Sequence, residues 1–100
     1  MDFTNAINKY LKHIENDYGS DHKIFYAVTG RKYVHVVAED THSVMSGRSS
    51  HSWIVITHND KKFKYGDILK SASWNSPARN YARGNIFDGN FMNIRWTGAL

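Results

Sequence analysis

The chain of 100 residues has no cysteine, a single proline and no long apolar run. The absence of cysteine excludes disulfide bonds and thiolate metal sites, and it is compatible with a reducing cytoplasm. No stretch approaches the roughly 20 apolar residues that span a bilayer, so we expect no transmembrane segment and no membrane partner. The first ten residues lack the basic and then apolar pattern of a signal peptide. We therefore expect a cytoplasmic protein that folds as one domain over residues 1–100.

Positive charge is concentrated in the C-terminal part of the chain. The formal net charge is +4. Residues 61–100 hold seven Lys and Arg side chains against two Asp, whereas residues 1–60 hold six against seven acidic side chains. Such an asymmetry favours a polyanionic partner, which is a nucleotide, a nucleic acid or an acidic protein surface. It also fits a solvated basic face that only aids solubility.

Apolar periodicity predicts an amphipathic helix at residues 3–18. Its apolar side chains recur at spacings of three and four, which places them on one stripe. Asp2 or Thr4 can cap the start of this helix, and Gly19 supplies the stop signal. The stripe needs a surface to pack against, and the remaining sequence is rich in strand-forming residues. The side chains that we expect to be buried by this packing are Phe3, Ile7, Leu11 and Ile14.

Runs of strand-forming residues between turn signals predict an antiparallel sheet. The strongest strand is expected at residues 53–57, because Trp-Ile-Val-Ile-Thr is apolar and β-branched. Residues 40–51 are polar and serine-rich, which predicts a long mobile loop. The predicted fold class is therefore α+β, with the N-terminal helix packed on the sheet. The other predicted strands are residues 23–28, 33–38, 63–70 and 91–96.

Residues typical of helix caps occur again near the end of the chain and predict a short second helix at residues 77–83. Ser76 suits the N-cap, Pro77 suits the first helical position, and Gly84 suits the residue just past the end. Arg79 and Arg83 are four residues apart, so they would share one face of this helix. We expect both arginines to be exposed.

The segment around this helix has the parts of a phosphate or nucleotide site. A helix start offers free N–H groups, nearby serines offer hydroxyls, and the arginines and an indole ring offer charge and a stacking surface. In the alternative interpretation the serine only caps the helix, the tryptophan belongs to the core and the arginines are solvated. The predicted ligand-binding residues are Lys70, Ser73, Trp74, Ser76, Arg79, Arg83 and Asn85.

Catalytic and metal-binding patterns are weak, so we predict no catalytic residue, no metal site and no cofactor. The six histidines lack the HxxxH or HxH spacing of a ligand pair on a helix or strand. A small metal-independent ribonuclease stays an alternative, since it needs only an acid–base pair and an arginine near the phosphate. The residues of those types are Glu39, His51, His58, Arg79 and Arg83.

The pattern GDIxKxASWxxPAR occupies residues 66–79, and ARGNIF follows at residues 82–87. In these motifs the second half of the chain, from Trp53 onward, resembles a group of small proteins encoded by tailed bacteriophages. The resemblance implies a phage accessory protein in the cytoplasm of an infected host cell. It implies a role in host takeover or anti-defence, which depends on binding rather than on turnover.

Two hypotheses of different class follow. The first is a non-catalytic protein that binds an anionic ligand, either a nucleotide signal or a nucleic acid. The second is a protein–protein interaction module, homo-oligomeric in one version, whose aromatic side chains contact a host protein; aromatic residues make up 14% of the chain. Binding that weakens steeply with salt would favour the first hypothesis. A stable protein complex with weak salt dependence would favour the second.

Overall fold

The computed structural model describes residues 2–41, 47–89 and 91–100, and within them a single helix precedes a meander of strands. The predicted α+β class, with the N-terminal helix packed on an antiparallel sheet, is confirmed. Five strands follow one another in chain order across this sheet, and two short strands pair separately. The elements are α1 (Phe3–Tyr18), β1 (Lys23–Thr29), β2 (Tyr33–Asp40), β3 (Arg48–Val55), β4 (Ile68–Ser73), β5 (Ser76–Pro77), β6 (Ile94–Arg95) and β7 (Gly98–Ala99).

Helix α1 has the caps that the sequence predicts. Asp2 Oδ1 accepts a hydrogen bond from the N–H of Asn5 at 2.8 Å. Gly19 adopts the left-handed conformation, with φ 70°, and its N–H donates to the carbonyl of Glu15 at 2.9 Å. No helix in the described ranges is long and apolar enough to cross a membrane. The buried helix residues are Ala6, Ile7, Tyr10 and Ile14, with Phe3, Leu11 and Tyr18 partly buried beside them.

The two faces of the sheet carry separate apolar clusters. On the helix side, Ile54 and Ile68 join the main core under α1. On the other side, which we call the open face, Val55 and Leu69 pack with Phe63 in a smaller cluster. Of the residues of β3, Ile54 therefore faces the helix and its neighbour Val55 faces away. The open face is covered only in part by described residues, so side chains along it are exposed.

A chain of buried polar groups connects α1 to the five-stranded sheet and to the β6–β7 pair. His51 is 3% exposed, and its Nε2 lies 2.7 Å from the carbonyl oxygen of Arg95. Because a carbonyl only accepts, this nitrogen donates, and Nδ1 of the neutral ring accepts from Ser52 Oγ at 2.8 Å. Ser52 Oγ in turn accepts from the hydroxyl of Tyr10 at 2.7 Å. Burial raises the pKa of Tyr10, so this hydroxyl stays a donor.

His51 is a buried titratable group, so we expect the stability of the fold to depend on its protonation. Burial, and secondarily the charge of His13, lower the pKa of His51 below its ordinary value of 6.5. The unfolded chain therefore takes up the proton more readily than the folded chain. We expect the free energy of unfolding to fall as the pH drops from neutral through the lowered pKa, by at most about 1.4 kcal/mol per pH unit for this group.

Urea unfolding at a series of pH values measures this dependence. In His51→Gln the fall between neutral and acid pH should be smaller than in the wild type. His22→Gln replaces an exposed histidine and is the matched control for the loss of one imidazole. If His51→Gln and the wild type lose stability equally on acidification, the assignment of the proton to His51 is wrong.

The predicted mobile loop at residues 40–51 is wrong at its C-terminal end. Strand β3 begins at Arg48 and pairs with β2, so the serines at 49, 50 and 52 belong to the sheet. Serine has little intrinsic strand preference, but pairing with an apolar neighbouring strand overrides that preference. Residues 42–46 of the prediction lie outside the described residues. The two later strands also shift: β4 starts at Ile68, and only residues 94–95 of the predicted run 91–96 form a strand.

The predicted helix at residues 77–83 is wrong. Residues Ser76–Pro77 form strand β5, and the N–H of Ala78 donates to the carbonyl of Lys70 at 2.7 Å. Farther along, the N–H of Arg83 donates to the carbonyl of Ile68 at 2.8 Å, so both ends of the segment 78–83 are bonded to β4. The Ser-Pro pair that fits a helix start also fits an edge strand, where proline needs no ladder donor. With no helix present, no helix dipole contributes to a binding site here.

Candidate functional site

Four rings lie in contact across the open face, and we call them the aromatic row: Tyr33, His35, Trp53 and Trp74. His35 on β2 and Trp53 on β3 are cross-strand partners, and their rings stack at 3.8 Å with an interplanar angle of 4°. Tyr33 meets Trp53 edge-on at 5.9 Å, and Trp74 meets His35 edge-on at 5.0 Å. Trp74 is 44% exposed. The row is therefore a line of packed rings in which His35 and Trp53 stack on each other and Trp74 is the accessible indole at one end.

The row is electrically neutral at physiological pH. His35 Nε2 lies 2.6 Å from Ser50 Oγ, which is hydrogen-bonded to the hydroxyl of Ser71 on β4. Burial lowers the pKa of His35 below its ordinary value of 6.5, so the imidazole carries no charge near pH 7. The two serines hold the ring in place against Trp53. The positive charge that would attract an anionic ligand must therefore come from residues outside the row.

Such charge lies at the other end of the row, in an open cleft of about 490 Å³. We call this the basic cleft. Four cationic side chains line it against one carboxylate, that of Asp60. The cations are Lys32, Lys61, Lys62 and Arg79, and Thr57 and Asn59 complete the lining.

Arg79 joins the basic cleft to the aromatic row. Its Nη2 donates to both carboxylate oxygens of Asp60, at 3.1 and 2.9 Å, and its Nη1 donates to the hydroxyl of Tyr33. Hydrogen bonds from the N–H groups of Lys62 and Phe63, and then from Arg79, lower the pKa of Asp60 to about 2. Asp60 therefore stays ionised at neutral pH and holds the guanidinium beside the row. A ligand that lies along the row reaches the cationic cleft at its Tyr33 end.

Of the seven predicted ligand-binding residues, four lie on or beside the open face. Trp74 and Arg79 mark the two ends of the row. Ser73 and Ser76 flank Trp74 in the turn between β4 and β5, where their hydroxyl oxygens lie 3.0 Å apart. Binding by these two hydroxyls stays a prediction, since each already has the other as a partner.

The structure does not bring Lys70, Arg83 and Asn85 to this face. Lys70 pairs with Ser52, which points toward the helix, so the lysine leaves the sheet on the helix side. Arg83 is 7% exposed, contrary to the expectation that it is solvated. Its guanidinium donates to Leu100 O at 3.0 Å, and to Asn80 Oδ1 and Tyr81 O at 2.7 Å.

Asn85 belongs to a structural connection between the motif at residues 66–79 and the motif at residues 82–87. Its Nδ2 donates to Asp67 Oδ1 and to the carbonyl of Tyr65, both at 3.0 Å. Gly66 has φ 90°, and a Cβ atom there would lie 2.6 Å from the ring of Phe87. The motif at residues 66–79 and the motif at residues 82–87 thus meet in space. Much of the pattern therefore builds the fold rather than the site.

The sequence missed the residues that form most of the site. Nothing at Tyr33, His35 or Trp53 stands out in a strand, because aromatic residues are ordinary there. One feature of the sequence could have shown part of the site: alternate residues of a strand share a face, so residues 33 and 35 lie on the same side of β2. The lysines of the basic cleft lie in turns, where charged residues are common.

The residues of the ribonuclease alternative do not form one site. Glu39 hydrogen-bonds Tyr26 at 3.2 Å, six residues and about 20 Å along β2 from Tyr33 and its partner Arg79. His51 is buried, and His58 stacks on Tyr65 at 4.3 Å. In the described parts of the chain, no three His, Asp or Glu side chains are grouped so as to hold a metal ion.

Comparison with known proteins places the chain in a family. The model of a family of unknown function, DUF7717, matches residues 1–99. No curated protein and no solved structure matches the chain. The family match covers both the helix and the sheet, including the strands that carry the aromatic row. The chain therefore belongs to DUF7717, a family of unknown function.

Proposed function

We propose that this protein is a non-catalytic binder of single-stranded nucleic acid. Bases stack on the aromatic row, and the phosphate backbone follows the basic cleft. The resemblance to small tailed-phage proteins supports a phage accessory role, in host takeover or anti-defence, in the cytoplasm of the infected cell. The proposal needs no cofactor and no metal.

The observation that carries this proposal is the junction at Arg79 and Tyr33. A neutral stacking surface and a cationic cleft share this one contact, so a single ligand can use both. Proteins that bind single strands combine these two elements, aromatic platforms for the bases and a positive groove for the backbone. An acidic protein surface would use the cations but would not need a row of stacked rings.

The shape of the site favours a strand over a mononucleotide. Pockets for small ligands are concave and enclose most of the ligand. The aromatic row lies instead on an open sheet face, and it offers rings on β2, on β3 and after β4. One base can stack on the exposed indole of Trp74 while its neighbours in the strand contact the outer edges of the other rings. In a duplex the bases are paired and stacked, so the rings would find no free base face.

Fluorescence anisotropy with labelled oligouridylate, oligothymidylate and a duplex of the same length, at several salt concentrations, tests the proposal. We expect both single strands to bind more tightly than the duplex. The logarithm of the association constant should fall linearly with the logarithm of the salt concentration, because binding releases counterions. Equal binding of single strands and duplex would contradict the use of the aromatic row. If the protein binds neither single strands nor duplex but forms a complex with another protein that is insensitive to salt, a host-protein partner is favoured.

A matched pair of double variants tests the basic cleft separately. Lys32→Gln with Lys61→Gln removes two cleft cations, and Lys9→Gln with Lys12→Gln removes two cations from the outer surface of α1. Both variants change the net charge by the same amount. The cleft variant should bind at least about tenfold more weakly and lower the salt slope by about 1 to 1.5. If both variants lose affinity equally, only net charge matters and the cleft is not the phosphate site.

A further inference from the structure

Strand β1 is one of the two edges of the five-stranded sheet, and with seven residues it is far longer than β5 at the other edge. Among the described residues, no other strand pairs with its outer side. Its sequence, KIFYAVT, is apolar from Ile24 to Val28 and contains no proline, and its one charged side chain, Lys23, lies at the first position on the face of Phe25. Natural proteins usually block such an edge, because its free N–H and C=O groups are a template for another strand. The free edge of β1 is therefore able to pair with another strand.

The hydrogen-bond phase of β1 sets which backbone groups are free. The N–H of Gly30 donates to Tyr33 O at 2.8 Å, and the N–H of Thr41 donates to His22 O at 2.8 Å. The β1–β2 ladder has no bulge between these bonds, so even-numbered residues of β1 direct their N–H and C=O groups to β2. The N–H and C=O groups of Phe25 and Ala27 therefore point outward from the sheet.

Side chains along the open face of this edge are unusually apolar for exposed positions. Ile24 is 47% exposed and Val28 is 50% exposed, with Tyr26 between them. All three lie on the same face, because alternate residues of a strand share a face. Single exposed apolar residues need no explanation, but here two of them are placed symmetrically about Tyr26 on an unpaired edge.

We propose that β1 pairs with β1 of a second copy of this chain, antiparallel and centred on Tyr26. In this register the outward groups of Phe25 bond those of Ala27 of the second copy, as the hydrogen-bond phase requires. Ile24 then lies opposite Val28 of the second copy, and Val28 opposite Ile24 of the second copy. The Ile24–Val28 pair therefore occurs twice in the dimer, once on each side of the two-fold axis, and covers both exposed apolar residues of each copy.

Charge complementarity supports the same register and the same occupant. Asp21 and Arg31 lie just beyond the two ends of β1, at equal distances from Tyr26 in the sequence. Pairing centred on Tyr26 therefore places Asp21 opposite Arg31 of the second copy, and the reverse. The side chain of Asp21 is 94% exposed, so it is accessible for this contact. Pairing centred on Phe25 or Ala27 would align neither these charges nor Ile24 with Val28.

The proposed dimer has one continuous ten-stranded sheet. The aromatic row lies on β2, β3 and the turn after β4, away from the two-fold axis, so each copy keeps its own row. Dimerisation is independent of the proposed nucleic-acid binding, and either one can fail without the other. If both hold, one dimer presents two strand-binding faces on the same side of one sheet, which raises the apparent affinity for a long strand.

Single-cysteine cross-linking tests the register directly, because the native chain has no cysteine. Opposed residues that do not exchange hydrogen bonds have Cα atoms about 4.5 Å apart, which suits a disulfide. Oxidised Tyr26→Cys should therefore run as a covalent dimer. Ile24→Cys and Val28→Cys should stay monomeric on the gel, since each opposes a different residue. A combined Ile24→Cys and Val28→Cys variant should cross-link again. Cross-linking of Ile24→Cys as fast as Tyr26→Cys, or no cross-linking of Tyr26→Cys, overturns the register.

A charge swap tests the dimer without cysteines. Sedimentation equilibrium of the wild type should show a monomer–dimer equilibrium. Asp21→Arg or Arg31→Asp alone places like charges opposite each other at two sites and should weaken dimerisation about tenfold. The double variant Asp21→Arg with Arg31→Asp restores both pairs and should return to within about threefold of the wild type. A monomeric wild type at every concentration, or a double variant as weak as the single variants, overturns the proposal.

Discussion

Replacing Arg83 by alanine is expected to lower the free energy of unfolding by about 3 kcal/mol. The side chain is buried, and it donates to the carbonyls of Leu100 and Tyr81 and to the side chain of Asn80. Its guanidinium also lies 3.9 Å above the ring of Tyr81. The substitution removes the hydrogen bonds to these three acceptors and the contact that holds residue 83 to Leu100. Urea unfolding followed by circular dichroism measures the loss.

Arg95→Ala is the matched control for this prediction. The side chain of Arg95 is 58% exposed, and its ion pair with Asp17 is 3.9 Å long. Exposed pairs of this kind contribute little, so the free energy of unfolding should change by less than about 0.5 kcal/mol. Equal stability of Arg83→Ala and Arg95→Ala would mean that Arg83 is not a structural residue. In that case its assignment as a ligand-binding residue would return.

Replacing Trp74 by alanine is expected to weaken binding of single-stranded oligonucleotides by roughly ten- to a hundredfold. Stacking of one base on an aromatic side chain contributes about 1–3 kcal/mol, which corresponds to that range. Trp74 is the most exposed ring of the row, and its edge-on contact with His35 is its only described ring contact. The fold should therefore survive the substitution. Anisotropy titrations under the conditions used for the wild type measure the change.

Trp96→Ala is the control for the loss of an indole. Trp96 is 36% exposed and packs on Tyr18 of the helix at 4.8 Å, on the opposite side of the sheet. Its removal should leave the affinity unchanged within about twofold. Trp74→Phe, which keeps a stacking ring, should recover part of the lost affinity. Wild-type affinity in Trp74→Ala would exclude the row as the base-binding surface.

Local signals in the sequence were sufficient for the N-terminal half of the fold. The bounds of α1 follow from Asp2, Gly19 and the apolar spacing between them, all of which act within a few residues. The first hairpin follows from Gly30 and the apolar runs that flank it. In both cases the local preference and the tertiary packing agree, so reading the local preference was enough.

Tertiary pairing decided the elements that were predicted wrongly. Ser49 and Ser50 are poor strand formers, yet β2 beside them offers a complete ladder. Ser76 and Pro77 have the pattern of a helix start, but β4 offers them backbone partners. A sequence pattern does not contain the position of a partner that is distant in the chain, so these outcomes were not predictable from it.

The candidate site was predicted in part for the same reason. Trp74 and Arg79 were identified from their chemistry, and both lie at the aromatic row. Arg83 was paired with Arg79 through a helix that does not form, and its side chain is buried instead. Tyr33, His35 and Trp53 come together only through the β2–β3 register. Only the folded sheet shows that they are neighbours.

The most direct test of the central claim uses the three tryptophan side chains as reporters. In ¹H–¹⁵N spectra each indole N–H gives its own signal, and the chain has Trp53 and Trp74 on the open face and Trp96 on the helix side. On titration with oligouridylate, the signals of Trp74 and Trp53 should shift in a saturable way while that of Trp96 stays in place. A shift of Trp96 alone, or no shift of any indole signal at saturating oligonucleotide, would contradict binding on the open face.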